Sequence, residues 1–163
     1  MPGRRRAERV ACDAMCGGLA RWLRMFGVDT WHEPRVADAE LVERALCEQR
    51  LVISSDHKLF ERRVFATGQL AGLHLPVGLK LEDQVRYVAP HVRFDFDQPR
   101  CPGCNAVLVP AARRDVADVV PARSLIWAKS FYRCPDCAHV YWDGTHWRRI
   151  EKLACELGAK NEG

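Results

Sequence analysis

Three aspartates, Asp13, Asp38 and Asp56, each stand where an apolar run, or the connection after it, gives way to a helical pattern. In an open α/β sheet that position is the carboxyl edge of the strands, where ligands bind. Parallel strands would bring all three carboxylates to the same edge. Clustered carboxylates repel one another unless a cation sits between them, and hard oxygen ligands with water still attached suit magnesium or manganese. Such a site, open to solvent, lowers the pKa of a bound water and holds a phosphodiester for in-line attack. Glu40, Glu43 and Glu61 are candidates for a fourth acid, and the sequence does not choose among them. Ser54, two residues before Asp56, either holds a carboxylate or metal-bound water by a hydrogen bond or only serves the turn. Each aspartate has a competing role as an N-cap, worth about 1 kcal/mol. Arg21 and Arg24, three apart on one helical pattern, suit bidentate contacts to phosphates; a solvated helix face is the alternative.

Four of the eight cysteines form two CxxC pairs, Cys101-Cys104 and Cys134-Cys137. Each pair wraps two thiolates around one tetrahedral ion, and the two together make a closed, structural four-cysteine zinc site. Asn105, after the first pair, tolerates the left-handed backbone such a turn needs. Ala138, after the second, does so at a cost of about 1 kcal/mol. A segment this small needs the metal, since a structural zinc contributes roughly 10–16 kcal/mol in small metal-dependent domains. A redox CxxC is the runner-up, but it has no need of a second pair at this distance. Cys12, Cys16, Cys47 and Cys155 sit singly and read as buried or incidental thiols. Trp127, Tyr132, Tyr141, Trp142, His146 and Trp147 lie among basic residues, a mixture suited to stacking on unpaired bases and neutralising phosphates, or to packing the ribbon on its neighbour.

The elements that must position these residues follow from hydrophobic periodicity. Val10-Ala11-Cys12 ends at Asp13, then Leu19, Trp22, Leu23 and Phe26 recur at helical spacing up to Gly27. Val28 to Trp31 is a second strand, and Asp38 opens a helix with Leu41, Val42, Ala45 and Leu46 on one stripe. Leu51 to Ile53 is a third strand, followed by a helix predicted over Lys58 to Ala66. Leu73 to Leu75 and Leu81 to Val88 give a fourth strand and helix. Apolar runs alternating with helical patterns imply a parallel sheet with right-handed crossovers. The pattern breaks in RFDFDQP, where a boundary is expected: an α/β domain over 8–95, a small β-rich ribbon over 98–150, and a tail over 151–163, with a helix starting near Ile150.

At 163 residues and 48% hydrophobic content the chain is globular, not disordered. No signal-peptide h-region and no membrane-length apolar run is present, so a cytoplasmic protein is expected. The net charge of +4 permits an anionic partner without demanding one. Residues 98–150 carry eight Lys or Arg against four acids, which fits either a nucleic-acid contact or a solvated surface.

DAMCGGLARWLRMFGVDT (13–30), DAELVERA (38–45), LVISSD (51–56), RCPGCNAVLVP (100–110) and FYRCPDCAHVYWDGTHWRRI (131–150) together resemble the Mut-seven C-terminal RNase domain family, over roughly residues 8 to 152. The resemblance implies a PIN-like nuclease fold joined to a C-terminal zinc ribbon, and a metal-dependent ribonuclease activity. It places Asp13, Asp38 and Asp56 as catalytic and divalent-metal residues, with Ser54 where the family has threonine. It matches Arg21 and Arg24 to the family's two arginines, and Trp142, Gly144 and His146 to its tryptophan-glycine-histidine run. The expected substrate-binding residues are thus Arg21, Arg24, Ser54 and His146. RNA is the expected partner, with a ribosome or protein contact through the ribbon. A non-catalytic RNA- or ribosome-binding module on the same fold is the alternative.

Overall fold

The computed structural model describes residues 5–161. Four short strands, β1 (Arg9–Cys12), β2 (Asp29–His32), β3 (Leu51–Ser54) and β4 (Gly72–His74), form a parallel sheet in the order β2-β1-β3-β4. Cys12 lies opposite both His32 and Ile53, and Ser54 opposite His74, so the strand ends stand level along one edge.

Helices cover both faces of the sheet. Successive side chains on a strand point to opposite faces, so Val10, Cys12 and Ile53 join one core and Ala11 and Val52 the other. The first core is closed by Leu19 and Leu23 of α1 (Gly17–Met25) and by Val85 and Val88 of α4 (Leu81–Val88). The second is closed by Leu41 and Ala45 of α2 (Asp38–Glu48) and by Leu59. Strands buried on both sides explain the near-continuous apolar runs of the sequence.

One predicted helix is two pieces. A 3-10 turn over His57–Glu61 and a single α-turn, α3 (Arg63–Ala66), replace the continuous helix expected over Lys58 to Ala66, with Arg62 extended at ψ 140°. In an unbroken helix Leu59 and Val64, five residues apart, would face different directions. The break lets both pack in the same core.

Beyond Arg93 the chain turns onto the first lobe. Asp95 N donates to Phe26 O at 2.9 Å, and Phe26 meets the rings of Phe94 and Phe96 edge-on. Gly27, at φ 79°, is required here: a Cβ on it would sit 1.9 Å from Asp95 O.

The ribbon is an antiparallel sheet of β5 (Val109–Ala111), β6 (Phe131–Arg133) and β7 (Val140–Trp142). The long insert between the cysteine pairs contains α5 (Ala122–Trp127), and Val116, Val120, Ala128, Phe131 and Val140 give it a small core of its own. The helix expected near Ile150 starts earlier, as α6 (Thr145–Asn161). It is no loose tail, since Ile150, Leu153 and Leu157 return to the first core of the α/β lobe. No helix among the described residues is long and apolar enough to cross a membrane.

Candidate functional site at the carboxyl edge of the sheet

The four strands deliver His32, Asp13, Ser54 and His74 in a row along one edge, each as the last residue of its strand or the next after it. Asp13 is only 8% exposed. Its Oδ1 accepts from Ala14 N at 2.6 Å, and its Oδ2 accepts from Ser54 Oγ at 2.7 Å. An ionised carboxylate has about four lone-pair sites, so each oxygen keeps acceptor capacity beyond these bonds. Ser54 Oγ also accepts from Asp56 N at 3.0 Å, which ties the two acid-bearing turns through a single hydroxyl.

Asp13 and Asp56 both act as caps as well. Asp13 receives the first N–H of the 3-10 turn over Ala14–Cys16, and the exposed Asp56 accepts from Lys58 N at 2.9 Å. Asp38 does not cap; Ala37 holds that position, and the Asp38 carboxylate lies 3.7 Å from the Arg62 guanidinium. The structure therefore joins Asp13, Ser54 and Asp56 and leaves Asp38 with Arg62. Among the described residues, the four cysteines are the one set of three or more metal-ligating side chains whose ligand atoms all lie within 4.8 Å of one another.

Two histidines at the edge are absent from the residues that the sequence singles out. His32 Nε2 lies 3.1 Å from Ala14 O, and His74 Nε2 lies 3.3 Å from Ser55 O. A carbonyl only accepts, so Nε2 carries the proton in both, leaving Nδ1 of the neutral ring as an acceptor. His57 packs edge-on against His74 at 5.5 Å. A signal exists in the chain for one of them: His32 follows a short β-like run, as Asp13 does, whereas His74 lies inside the run Leu73 to Leu75. Cys16, buried beside Asp13, has its thiol pushed up to about 11 by burial and by that negative charge, so it stays protonated at neutral pH.

The two arginines of α1 part company. Arg21 is exposed, as a phosphate contact requires. Arg24 corrects the expectation from its spacing, being 6% exposed. Its Nε donates to Thr30 O at 2.9 Å, and its Nη1 to Pro102 O at 2.7 Å and Gly103 O at 3.4 Å. Its Nε and Nη1 are spent on backbone carbonyls, two of them inside the first cysteine turn, and its burial keeps the group from a phosphate in solvent. Burial lowers the Arg24 pKa, while the nearby thiols of Cys12, Cys101 and Cys104 act to raise it.

Asn105 makes a second strut. At φ 72° its side chain turns onto the free edge of β2, accepting from Thr30 N at 3.0 Å and donating to Asp29 Oδ1 at 2.8 Å. Asp29 also receives Arg50 Nη1 at 2.8 Å. Burial pushes the Asp29 carboxyl up, and the hydrogen bonds from Arg50 and Asn105 outweigh it and hold it below its ordinary value.

The cysteine group is compact. Cys101 Sγ lies 3.7 Å from Cys137 Sγ, and Cys104 Sγ 3.3 Å from Cys134 Sγ. A zinc tetrahedron with Zn–S bonds of about 2.3 Å has edges of about 3.8 Å, so the donor set fits. Tyr141 Oη stands 3.1 Å from Cys101 Sγ, an outer partner to one ligand. Ala138 takes φ 62° after the second pair, as its position demands. His146 lines a pocket with Met25 of α1 and residues of the ribbon, and none of the three aspartates is among that pocket's lining residues.

A parallel α/β lobe with a polar ligand edge, braced by a four-cysteine metal-binding ribbon, defines the class of protein. Residues 8–154 match the family described as the Mut7-C RNAse domain, and the chain belongs to that family. The family's name suggests nuclease activity and implies RNA as the substrate. No curated protein and no solved structure matches the chain.

Proposed function

We propose that the protein is a metal-dependent ribonuclease that hydrolyses RNA phosphodiester bonds at the carboxyl edge of its parallel sheet. Asp13 and Asp56 are assigned as ligands of a magnesium or manganese ion, and Asp38 as a third carboxylate once it leaves Arg62, an exposed pair worth little. The bound ion supplies a more acidic water and neutralises phosphate charge. The observation that carries this reading is the Ser54 hydroxyl. It donates to the Asp13 carboxylate while accepting the backbone N–H of Asp56, so the first acid and the turn that carries the second are tied by one group before any ligand arrives. His32 and His74 flank them, and each, when protonated, has Nδ1–H to donate to a phosphate oxygen. Arg21 provides a charge for the flanking phosphate. The ribbon holds one structural zinc through Cys101, Cys104, Cys134 and Cys137, and this zinc has no open position for chemistry.

Single-stranded RNA with magnesium or manganese, compared between wild type and Asp13→Asn, tests the proposal. Cleavage is expected to fall by more than the roughly 10–100-fold that loss of an outer partner costs at a metal site, with RNA binding retained. The competing reading, a non-catalytic RNA-binding module, draws on the turning of Asp56 onto Lys58 N and of Asp38 onto Arg62. Binding without cleavage in both proteins would decide for it.

A further inference from the structure

A pocket of about 310 Å³ opens between the end of α1, the first cysteine turn and the start of α6. Met25 and Leu108 form part of its apolar wall, and Trp142, Thr145, His146 and Trp147 stand around them. Small-molecule pockets run from roughly 300 to 1,000 Å³, so this one has room for a single ring system and not for a stack of them. None of its residues belongs to the carboxyl edge described above.

Three observations restrict the occupant. Trp147 is held in place by stacking on Tyr132, with ring centroids 6.4 Å apart and planes 28° from parallel, so an aromatic face is ready before binding. Among the described residues no hydrogen bond is made by Trp142 Nε1, by the exposed Thr145 hydroxyl or by the exposed His146 ring, and none of them is buried without a partner, so water serves them in the free protein. An aliphatic side chain would cover these groups without giving them partners, whereas a flat ring with donors and acceptors along its edge satisfies them.

The third observation is charge. No carboxylate lines the pocket. Asp143, the nearest acid in sequence, has its Oδ1 committed to Lys129 N at 2.7 Å and Ser130 N at 2.9 Å. Of the arginines on the segments that build the walls, Arg149 pairs with Glu82 and Arg100 Nη1 donates to Asn105 O at 2.9 Å, which leaves the exposed Arg148, over the Trp127 ring, as the cation of this flank. An apolar, aromatic slot with free polar groups and a cationic flank is complementary to a base on a phosphate backbone.

We infer that this pocket is a base-binding subsite, taking one unpaired nucleobase of the RNA chain while the neighbouring phosphates lie along the basic flank. The inference rests on RNA being the substrate, as proposed above, and adds to it a second contact on the ribbon side of the molecule. Trp142, Thr145 and His146 meet the polar edge of the base, and the Trp147 ring meets its face.

The full zinc-loaded chain, without added magnesium or manganese, is titrated into two fluorescent probes of equal length and charge. One is a single-stranded RNA of about 12 nucleotides, within the usual site sizes, and the other is the same ribose-phosphate chain without bases. Wild type is expected to favour the base-bearing chain by about 5- to 150-fold, the range that stacking of one base supplies. Gly144→Val adds methyl groups beside the pocket at a glycine without positive φ, where an added Cβ meets only Trp142 Nε1, at 3.9 Å. It is expected to bring the ratio toward one while affinity for the abasic chain holds. His146→Ala, which adds no bulk, should lower the ratio in the same direction.

Equal binding of the two probes by wild type would overturn the inference, as would an unchanged ratio in both variants. A ratio near one together with quenching of tryptophan fluorescence by a Leu- and Phe-bearing peptide would assign the pocket to a protein partner instead. Cleavage of RNA by wild type in magnesium is scored separately. Cleavage with a ratio near one defeats the subsite alone; a high ratio without cleavage defeats the nuclease reading and supports the subsite.

Discussion

Arg24→Met separates the buried strut seen in the structure from the phosphate contact that the spacing of this residue suggests. The guanidinium makes two short hydrogen bonds to backbone carbonyls, 2.9 Å to Thr30 O and 2.7 Å to Pro102 O, and a long third at 3.4 Å to Gly103 O. Hydrogen bonds from a charged donor contribute about 1.5–3 kcal/mol each. Methionine refills most of the volume, but leaves the buried Thr30 carbonyl and the half-buried Pro102 carbonyl without donors. Taking the two short bonds and discounting the third gives a loss of about 3–6 kcal/mol, which overlaps the roughly 3–5 kcal/mol for breaking one side of a buried charged contact. At an m value of about 2 kcal/mol/M the urea midpoint falls by about 2 M. Tryptophan fluorescence follows the unfolding, and a zinc-sensitive dye follows release of the metal, which should come at lower urea than in wild type. A phosphate contact would behave in the opposite way. The midpoint would hardly move, while RNA affinity would drop and its dependence on log salt would flatten by roughly 0.7 for the one lost contact to a single strand. That pair of results would refute the strut.

Other outcomes follow from the same geometry. Ala138→Gly relieves a left-handed backbone at φ 62° and should raise stability by about 0.5–1 kcal/mol, read from the urea midpoint. Asp29 has a carboxyl held below its ordinary value, so its ionised form contributes stability that is complete above about pH 4 and is lost as pH falls through its lowered folded value. The gap in urea midpoint between wild type and Asp29→Asn should therefore be full at about pH 7 and close under acid, below about pH 4. Elemental analysis should find one zinc per chain, and its removal by a chelator should abolish the near-ultraviolet dichroism of the ribbon tryptophans, because the ribbon's own core is only a handful of residues.

Much of the α/β lobe can be read from the chain because local signals and tertiary demands agree there. Val10 to Asp13, Leu51 to Ser54 and the Asp38 helix all appear where periodicity puts them. The cysteine pairs are legible for a different reason, since ligand spacing is a constraint on the local turn and needs no long-range information. The misreadings occur where a long-range contact decides. Arg24 has the spacing of an exposed helical residue, and only the return of residues 99–103 onto α1 buries it. The break at Arg62 serves two apolar residues that must reach one core from the same short segment. His32 escapes notice because it follows its predicted strand, and His74 because it falls in the middle of the strand expected over Leu73 to Leu75; only the level strand ends bring both to the edge. Asp38 is legible as a helix start, but its pairing with Arg62 depends on a turn that the sequence presents as a helix.

The placement of α6 has a bearing on how the molecule comes into being. Ile150, Leu153 and Leu157 complete the hydrophobic layer that begins at Val10, so β1 waits for α6, more than 130 residues later in synthesis, before its face is covered. The growing polypeptide must expose Phe26 and its surroundings until the ribbon has been threaded and the cysteines have emerged. Shielding of that nascent surface, and metal loading of the later segment, are thus linked by connectivity alone, and a chain cut short ahead of Thr145 would leave the α/β lobe with an open, adhesive flank.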